Sequence, residues 1–255
     1  MKASMPRPLR AVIFDVDGTL AETERDGHRQ AFNQAFRDHG LPFHWDVAEY
    51  GRLLAVTGGR YRLAWYLAEQ GLSDPAGAAR VLHRTKTAHF AAWLRAGPLF
   101  PRPGVHELLA GLRDSGVPVA IATTGRREWV SILLKRLFDD IGFAAVVTGD
   151  DVAELKPDPE AYLRALSRLD VEAREAVAVE DSPPGLAAAT AAGITCLVVA
   201  SEYHLDMPFP GAAAVLPGFL ATDLPDAGLS GVFADGVTAD ALRWLHSAAQ
   251  GRGAR

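Results

Sequence analysis

The apolar positions of this chain follow two rhythms. Ala11-Val12-Ile13-Phe14 is an unbroken apolar run, which predicts a buried strand, and it opens into the polar, glycine-bearing stretch Asp15-Val16-Asp17-Gly18-Thr19. Helical spacing takes over after it. Phe32, Ala35 and Phe36 repeat every three to four residues up to Gly40. Asp46 with Glu49 predicts a capping box for a second helix through Leu53-Leu54, closed by Thr57-Gly58-Gly59. Residues 60–70 predict a third helix with Gly71 at its C′ position. Asp74-Pro75 opens a long fourth one that carries Val81, Leu82, Thr85, His89 and Trp93 towards Gly97. Four helices with no strand between them are too many for a tight βαβ crossover. Residues 23–97 are therefore expected to be an inserted helical domain, entered near residues 21–24 and left near 97–103.

From Pro103 the rhythm alternates. Apolar runs at 117–122, 144–148, 176–179 and 194–200 predict strands. Periodic stretches at 103–112, 129–137, 160–169 and 186–192 predict helices. Such alternation is the pattern of an α/β fold with a doubly wound, mostly parallel sheet covered on both faces. Residues 1–22 and 98–255 are expected to form this core around the inserted helices. The stretch from Pro208 to the end mixes Pro, Gly and Ala and yields no sharp element, with residues 212–214 read as strand-edge filler.

Composition narrows the class. The 255 residues are 49% hydrophobic and 22% charged, as in ordinary soluble globular proteins, and suffice for one large or two modest domains. A net charge of -5 argues against a nucleic-acid partner and gives no polybasic membrane anchor, while an anionic substrate remains compatible with a locally positive pocket. Cys196, the single cysteine, lies in an apolar run and is expected to be a buried strand thiol, which fits a reducing compartment. Residues 1–10 are basic but no long apolar stretch follows, so neither a signal peptide nor a membrane span is expected and the cytoplasm is the default location.

Candidate chemistry sits at four predicted strand ends, where open α/β sheets place their ligands. Asp15 and Asp17, one residue apart, share a face if extended geometry persists, and are otherwise solvated turn aspartates. One such carboxylate can attack an electrophile while the other handles a proton. Gly18 lets the chain turn, and the Thr19 hydroxyl is expected to lock the turn. Thr123, with Thr124 and Gly125 after it, either caps the next helix or binds a phosphate oxygen together with the following amides. Lys156 is either a solvated loop charge or a site lysine that neutralises phosphate and keeps Asp15 ionised. Glu180-Asp181 is either a strand-end turn or, with Asp15, a hard-oxygen cluster suited to Mg²⁺. Their succession, each at a strand end, favours one shared site.

The order Asp15-Val16-Asp17-Gly18-Thr19, Thr123, Lys156-Pro157-Asp158-Pro159 and Glu180-Asp181-Ser182-x-x-Gly185 resembles the haloacid dehalogenase (HAD) superfamily over nearly the whole chain. The insertion after the first motif resembles the helical cap of the β-phosphoglucomutase-like branch. Residues 23–29, Trp45-Asp46-Val47-x-x-Tyr50-Gly51 and Thr57-Gly58-Gly59 look closest to CbbY-type phosphatases, which remove xylulose 1,5-bisphosphate. Arg25-Asp26-Gly27 resembles the plant members more than the shorter bacterial form.

The resemblance implies a mechanism. Asp15 would attack phosphorus and form an aspartyl-phosphate, and Asp17 would protonate the leaving oxygen and then activate water. Mg²⁺ would be held by Asp15, the Asp17 carbonyl and Asp181, with Glu180 nearby, and Thr123, Thr124 and Lys156 would bind the phosphoryl group. In the cap, Glu24, His28, Tyr50, Gly59, Arg62 and Lys86 fall where similar proteins bind substrate. Arg62 and Lys86 would clamp a second phosphate, and Glu24 would accept sugar hydroxyls. Their plainer alternatives are a packing aromatic for Tyr50, solvated charges for Arg62 and Lys86, and a satisfied polar contact for His28. The expectation is an Mg²⁺-dependent phosphatase acting on a small phosphorylated sugar, with a monomeric or weakly oligomeric chain. A phosphosugar mutase and a phosphate-sensing module are the alternatives.

Overall fold

The structure, a computed structural model, describes residues 7–220 and 231–252. Six strands, β1 (Ala11–Phe14), β2 (Val119–Ala122), β3 (Ala145–Val147), β4 (Ala176–Glu180), β5 (Thr195–Val199) and β6 (Ala214–Leu216), form one parallel sheet in the order β3-β2-β1-β4-β5-β6. Phe14 is in register with Ile121 on one side and Val179 on the other, so β1 lies at the centre, where the winding reverses. Ligands bind beyond the carboxyl ends of strands at such a reversal.

Successive residues of a strand face opposite sides, and here both sides are apolar. Val12 and Phe14 pack with Leu109, Leu112, Leu133 and Leu242, contributed by α5 (Val105–Asp114), α6 (Arg127–Leu137) and α9 (Ala239–Arg252). Ile13 faces the other side with Tyr162, Ala165, Leu186 and Ala189 of α7 (Glu160–Leu169) and α8 (Pro183–Ala191). Each fully buried Leu or Phe there stabilises the fold by roughly 1.5–3 kcal/mol. The α/β expectation holds, and Cys196 is buried in β5.

Between β1 and β2 run α1 (Arg29–Asp38), α2 (Val47–Leu53), α3 (Gly59–Glu69) and α4 (Pro75–Ala96), preceded by a π-helical turn, Glu24–His28. These helices share an apolar core of their own, in which Phe32, Phe36, Trp45, Tyr50 and Tyr66 pack with Leu63 and Leu82. Asp46 caps α2 by accepting from the Glu49 amide (2.7 Å), and Asp74 caps α4 by accepting from that of Gly77 (2.8 Å). Arg136 of α6 donates to the carbonyls of Leu94 (2.6 Å) and Gly97 (2.7 Å), which closes the C-terminal end of α4.

Three features differ from the sequence reading. Glu24–His28 is a π turn, a single wide turn that apolar spacing does not reveal. The stretch from Pro208 contains β6, a three-residue edge strand, and α9, whose Leu242 and Leu245 complete the first core face. Thr19 does not lock its turn through its hydroxyl, which is buried without a hydrogen-bond partner among the described residues. The turn is instead closed by main-chain bonds from Gly18 N to Ala21 O (2.9 Å) and Leu20 N to Val16 O (2.9 Å). Residues 1–6, 221–230 and 253–255, within stretches read above, lie outside the described residues. Among the described residues no helix is long and apolar enough to cross a membrane.

Candidate active site

The first motif leaves the sheet in a fixed direction. Asp15 N still donates to Val179 O (3.0 Å), so the ladder carries the chain one residue past β1 before it turns. Gly18 has φ +79°, and a Cβ there would lie 2.3 Å from Asp181 Oδ2. Both the left-handed conformation and the approach of Asp181 require glycine.

Asp15 and Asp17 point to different neighbours. Asp15 Oδ1 accepts from Lys156 Nζ (2.6 Å), which also donates to Glu180 Oε1 (2.5 Å). Tyr162 Oη donates to the same Glu180 oxygen (2.6 Å), while Glu180 Oε2 accepts from Asp181 N (3.2 Å). Asp15, Lys156, Glu180 and Asp181 are all buried. Burial pushes the Asp15 carboxyl well above its usual range, Lys156 opposes that shift, and Glu180, Asp181 and Asp17 add to it. Burial also works against the Lys156 charge, but Asp15 and Glu180 outweigh it and hold the ammonium protonated.

One oxygen each from Asp15, Glu180 and Asp181 lies within 4.8 Å of the others. Three buried carboxylates around a single ammonium leave excess negative charge, and an all-oxygen donor set is what a hard divalent cation takes. The residues fit such an ion. The Asp17 carboxylate stands outside this group, which leaves its main-chain carbonyl for the metal role the resemblance implies. Asp181 Oδ2 is also met by His204 Nδ1 (3.3 Å), itself 3.0 Å from Ser201 Oγ.

Asp17 is held from the helical side. Its Oδ1 accepts from Thr23 Oγ1 and lies 3.1 Å from His28 Nε2. The other imidazole nitrogen, Nδ1, is hydrogen-bonded to Lys86 Nζ. Burial and the neighbouring Lys86 charge depress the His28 pKa far below normal, so the ring is neutral, accepts from Lys86 at Nδ1 and donates to Asp17 at Nε2. Burial lifts Asp17 to about 6 against the pull of Thr23 and Lys86, within the range of a general acid working near neutrality. Burial lowers Lys86 to about 7. Beside this chain, Tyr50 Oη donates to Glu24 Oε2 and accepts from Arg62 Nη1 (3.1 Å), and Arg62 Nε is anchored on the Leu53 carbonyl (3.0 Å).

Two adjoining chambers lie over these groups. The smaller, about 90 Å³, is lined by Asp15, Lys156, Asp181 and His204. The larger, about 280 Å³, is lined by His28, Gly59, Arg60, His83, Lys86 and Arg126. Asp17, Glu24, Gly58, Arg62 and Thr124 line both. The structure thus gathers Asp15, Asp17, Lys156, Asp181, Thr124, Glu24, His28, Gly59, Arg62 and Lys86 around one continuous space. Thr123, Tyr50 and Glu180 stand behind its wall: the Thr123 hydroxyl accepts from Gly125 N (3.1 Å) and shapes the loop. The sequence alone does not single out Thr23, Tyr162 or His204. His204 lies five residues past the end of β5, a usable signal, whereas Thr23 is nine residues beyond β1 and Tyr162 reads as a core aromatic of α7.

The profile of the haloacid dehalogenase-like hydrolases matches residues 9–193, most of the chain. The chain belongs to that family. Among curated relatives, the protein CbbY of Cereibacter sphaeroides is 42% identical over 215 residues, covering 83% of this chain and 93% of that one. The crystal structure of CbbY from Rhodobacter sphaeroides in complex with phosphate superposes with a TM-score of 0.77 at 40% identity, over 84% of this chain and 96% of that one. A mutant of the same protein in complex with xylulose-(1,5)bisphosphate gives a TM-score of 0.76 at 40% identity, over 82% and 94%. This haloacid dehalogenase-like hydrolase is accordingly a CbbY-like phosphatase, and its buried acidic cluster is of the kind that holds a divalent metal.

Proposed function

We propose that the protein is an Mg²⁺-dependent phosphatase of a small ketose bisphosphate such as xylulose 1,5-bisphosphate, with residues 23–97 as a cap over the core formed by residues 1–22 and 98–255. The observation that carries this reading is the pairing of two chambers across Asp17. One surrounds a buried carboxylate and a lysine, and the other is rich in cationic side chains. A sugar with a phosphate at each end matches that division of charge. The xylulose-(1,5)bisphosphate complex of the CbbY mutant supports the same substrate class.

In this reading an Asp15 carboxylate oxygen attacks phosphorus in line, and the bond to the sugar oxygen breaks as Asp17 delivers its proton. Water then attacks the aspartyl-phosphate, with Asp17 accepting its proton, to release phosphate and restore Asp15. Lys156 orients Asp15 and shares the charge of the transferring oxygens, and the Thr124 loop borders the same chamber. Asp15, the Asp17 carbonyl and Asp181, with Glu180 beside them, would hold Mg²⁺, which supplies further positive charge to those oxygens. Arg62 and Lys86 hold the second phosphate, while Glu24, positioned by Tyr50, accepts sugar hydroxyls.

A phosphate-release screen with Mg²⁺ tests this, comparing xylulose 1,5-bisphosphate with hexose monophosphates alongside a mutase product assay. The expected result is a kcat/KM at least tenfold higher for the bisphosphate, with one phosphate released per molecule. Preference for a monophosphate, or an isomerised phosphosugar as product, would overturn it.

A further inference from the structure

The sheet offers one more strand end at the ligand side. Beyond β5 the chain runs Ser201-Glu202-Tyr203-His204, folded by bonds from His204 N to Ser201 O (2.9 Å) and Met207 N to His204 O (3.0 Å). These consecutive side chains reach three places. His204 faces Asp181 in the smaller chamber. Glu202 pairs with Arg25 at the start of the helical insertion (3.0 Å), an exposed contact worth little. Tyr203, between them, packs on α2.

The Tyr203 contact is close and oriented. Its ring meets that of Tyr50 edge to face, with centroids 5.9 Å apart and planes at 67°. Its Cδ1 would lie 2.9 Å from a Cβ on Gly51, so the ring occupies space that only glycine leaves open. Tyr203 lines neither chamber, and its Oη is buried with no hydrogen-bond partner among the described residues. The ring therefore acts by shape alone. What it presses on is the tyrosine that bonds both Glu24 and Arg62.

We infer that Tyr203 is a positioning residue for substrate selection: this core side chain wedges Tyr50 so that Glu24 and Arg62 take their places at the junction of the two chambers. The inference rests on the reading of Glu24 and Arg62 as substrate-holding groups. It makes the selective part of the pocket depend on contact between the loop after β5 and the helical insertion.

The test uses the 255-residue chain and the variants Tyr203→Ala, Tyr203→Phe and Gly51→Ala. With Mg²⁺, Tyr203→Ala is expected to raise KM for xylulose 1,5-bisphosphate about tenfold with kcat within threefold, and to leave kcat/KM for p-nitrophenyl phosphate within twofold. Tyr203→Phe keeps the ring and should match the wild type, whereas Gly51→Ala displaces the ring and should reproduce Tyr203→Ala. Equal losses on both substrates, an unchanged KM, or a Tyr203→Phe variant as impaired as Tyr203→Ala would overturn the inference. Amide hydrogen exchange of the ligand-free proteins supplies a readout independent of substrate. Residues 24–28 and α2 should exchange at least fivefold faster in Tyr203→Ala, with β1 and β4 unchanged, and equal rates would refute the wedge. Failure of the wild type to hydrolyse the bisphosphate removes the proposed substrate, and the exchange result then decides the wedge by itself.

Discussion

The ammonium of Lys86 is hydrogen-bonded to Nδ1 of His28, whose Nε2 stands 3.1 Å from the Asp17 carboxylate. A cation in the larger chamber is thereby linked through one neutral imidazole to the carboxyl proposed to handle the leaving-group proton. The two chambers share electrostatics as well as a wall.

The first prediction concerns pH. Lys86 ionises near 7 because burial disfavours its charge, and a bound phosphate would lift that value again. Bisphosphate affinity should therefore be level below pH 7 and fall by up to about tenfold per unit above it, with proton uptake on binding. Calorimetry in buffers of different ionisation enthalpy measures both effects, and Lys86→Arg should flatten the profile. The ligand-free fold should respond in the opposite sense. The unfolded chain keeps this proton up to about 10.5 while the folded site releases it near 7, so the group's contribution to stability grows between those values.

Exchange of the two aspartates separates their roles. Asp15→Asn should lower turnover at least about 10⁴-fold while the far-UV spectrum and Tm stay close to wild type, since the amide keeps the volume and Lys156 still pairs with Glu180. Asp17→Asn should retain phosphate binding and slow esters with poor leaving groups more than p-nitrophenyl phosphate. Near-wild-type turnover in either variant would contradict its assigned step.

Lys156 compensates Asp15 and Glu180 at once. Removing one partner of a buried ion pair leaves uncompensated charge, so Lys156→Met should destabilise the protein by about 3–5 kcal/mol in urea titrations. The double variant Lys156→Met with Glu180→Gln should recover part of that loss. A purely additive result would show that the two side chains act independently.

Divalent metal should act on stability as well as on rate. A cation that binds only the folded acidic cluster stabilises it by about 2.7 kcal/mol at a hundredfold excess over Kd. Thermal scans with Mg²⁺ against EDTA should show a clear rise in Tm, absent in Asp181→Asn. No shift in the wild type would argue against a metal at Asp15, Glu180 and Asp181.

Specificity for two phosphates is checked at the larger chamber. Lys86→Ala should weaken a ketose bisphosphate at least tenfold more than the corresponding monophosphate. Equal losses would remove Lys86 from the second phosphate.

Much of this arrangement was legible in the chain because strand ends are legible. Asp15, Lys156, Glu180 and Asp181 each follow an apolar run or a turn of distinctive composition, and parallel strands bring such ends together. The supporting residues are harder to read. Tyr162 sits on an apolar helix face like any core aromatic, and only the fold shows its hydroxyl on Glu180. Tyr203 and His204 lie in a loop whose composition says nothing of its direction. β6 and α9 escaped because a three-residue edge strand between Pro-Gly pairs lacks the length of a pattern, and Ala-rich spacing on α9 blurs its periodicity.

The clasp of Arg136 on the last carbonyls of α4 has a mechanical corollary. A helix anchored at one end, with α1 and α3 packed along it, turns a small rotation of that packed group into larger travel farther from the anchor. Lys86 lies ten residues before the end of α4, about 15 Å along the axis, so a tilt of about 10° would carry its backbone through about 2–3 Å. Motion on that scale opens or closes a hydrogen bond while the pivot keeps its own.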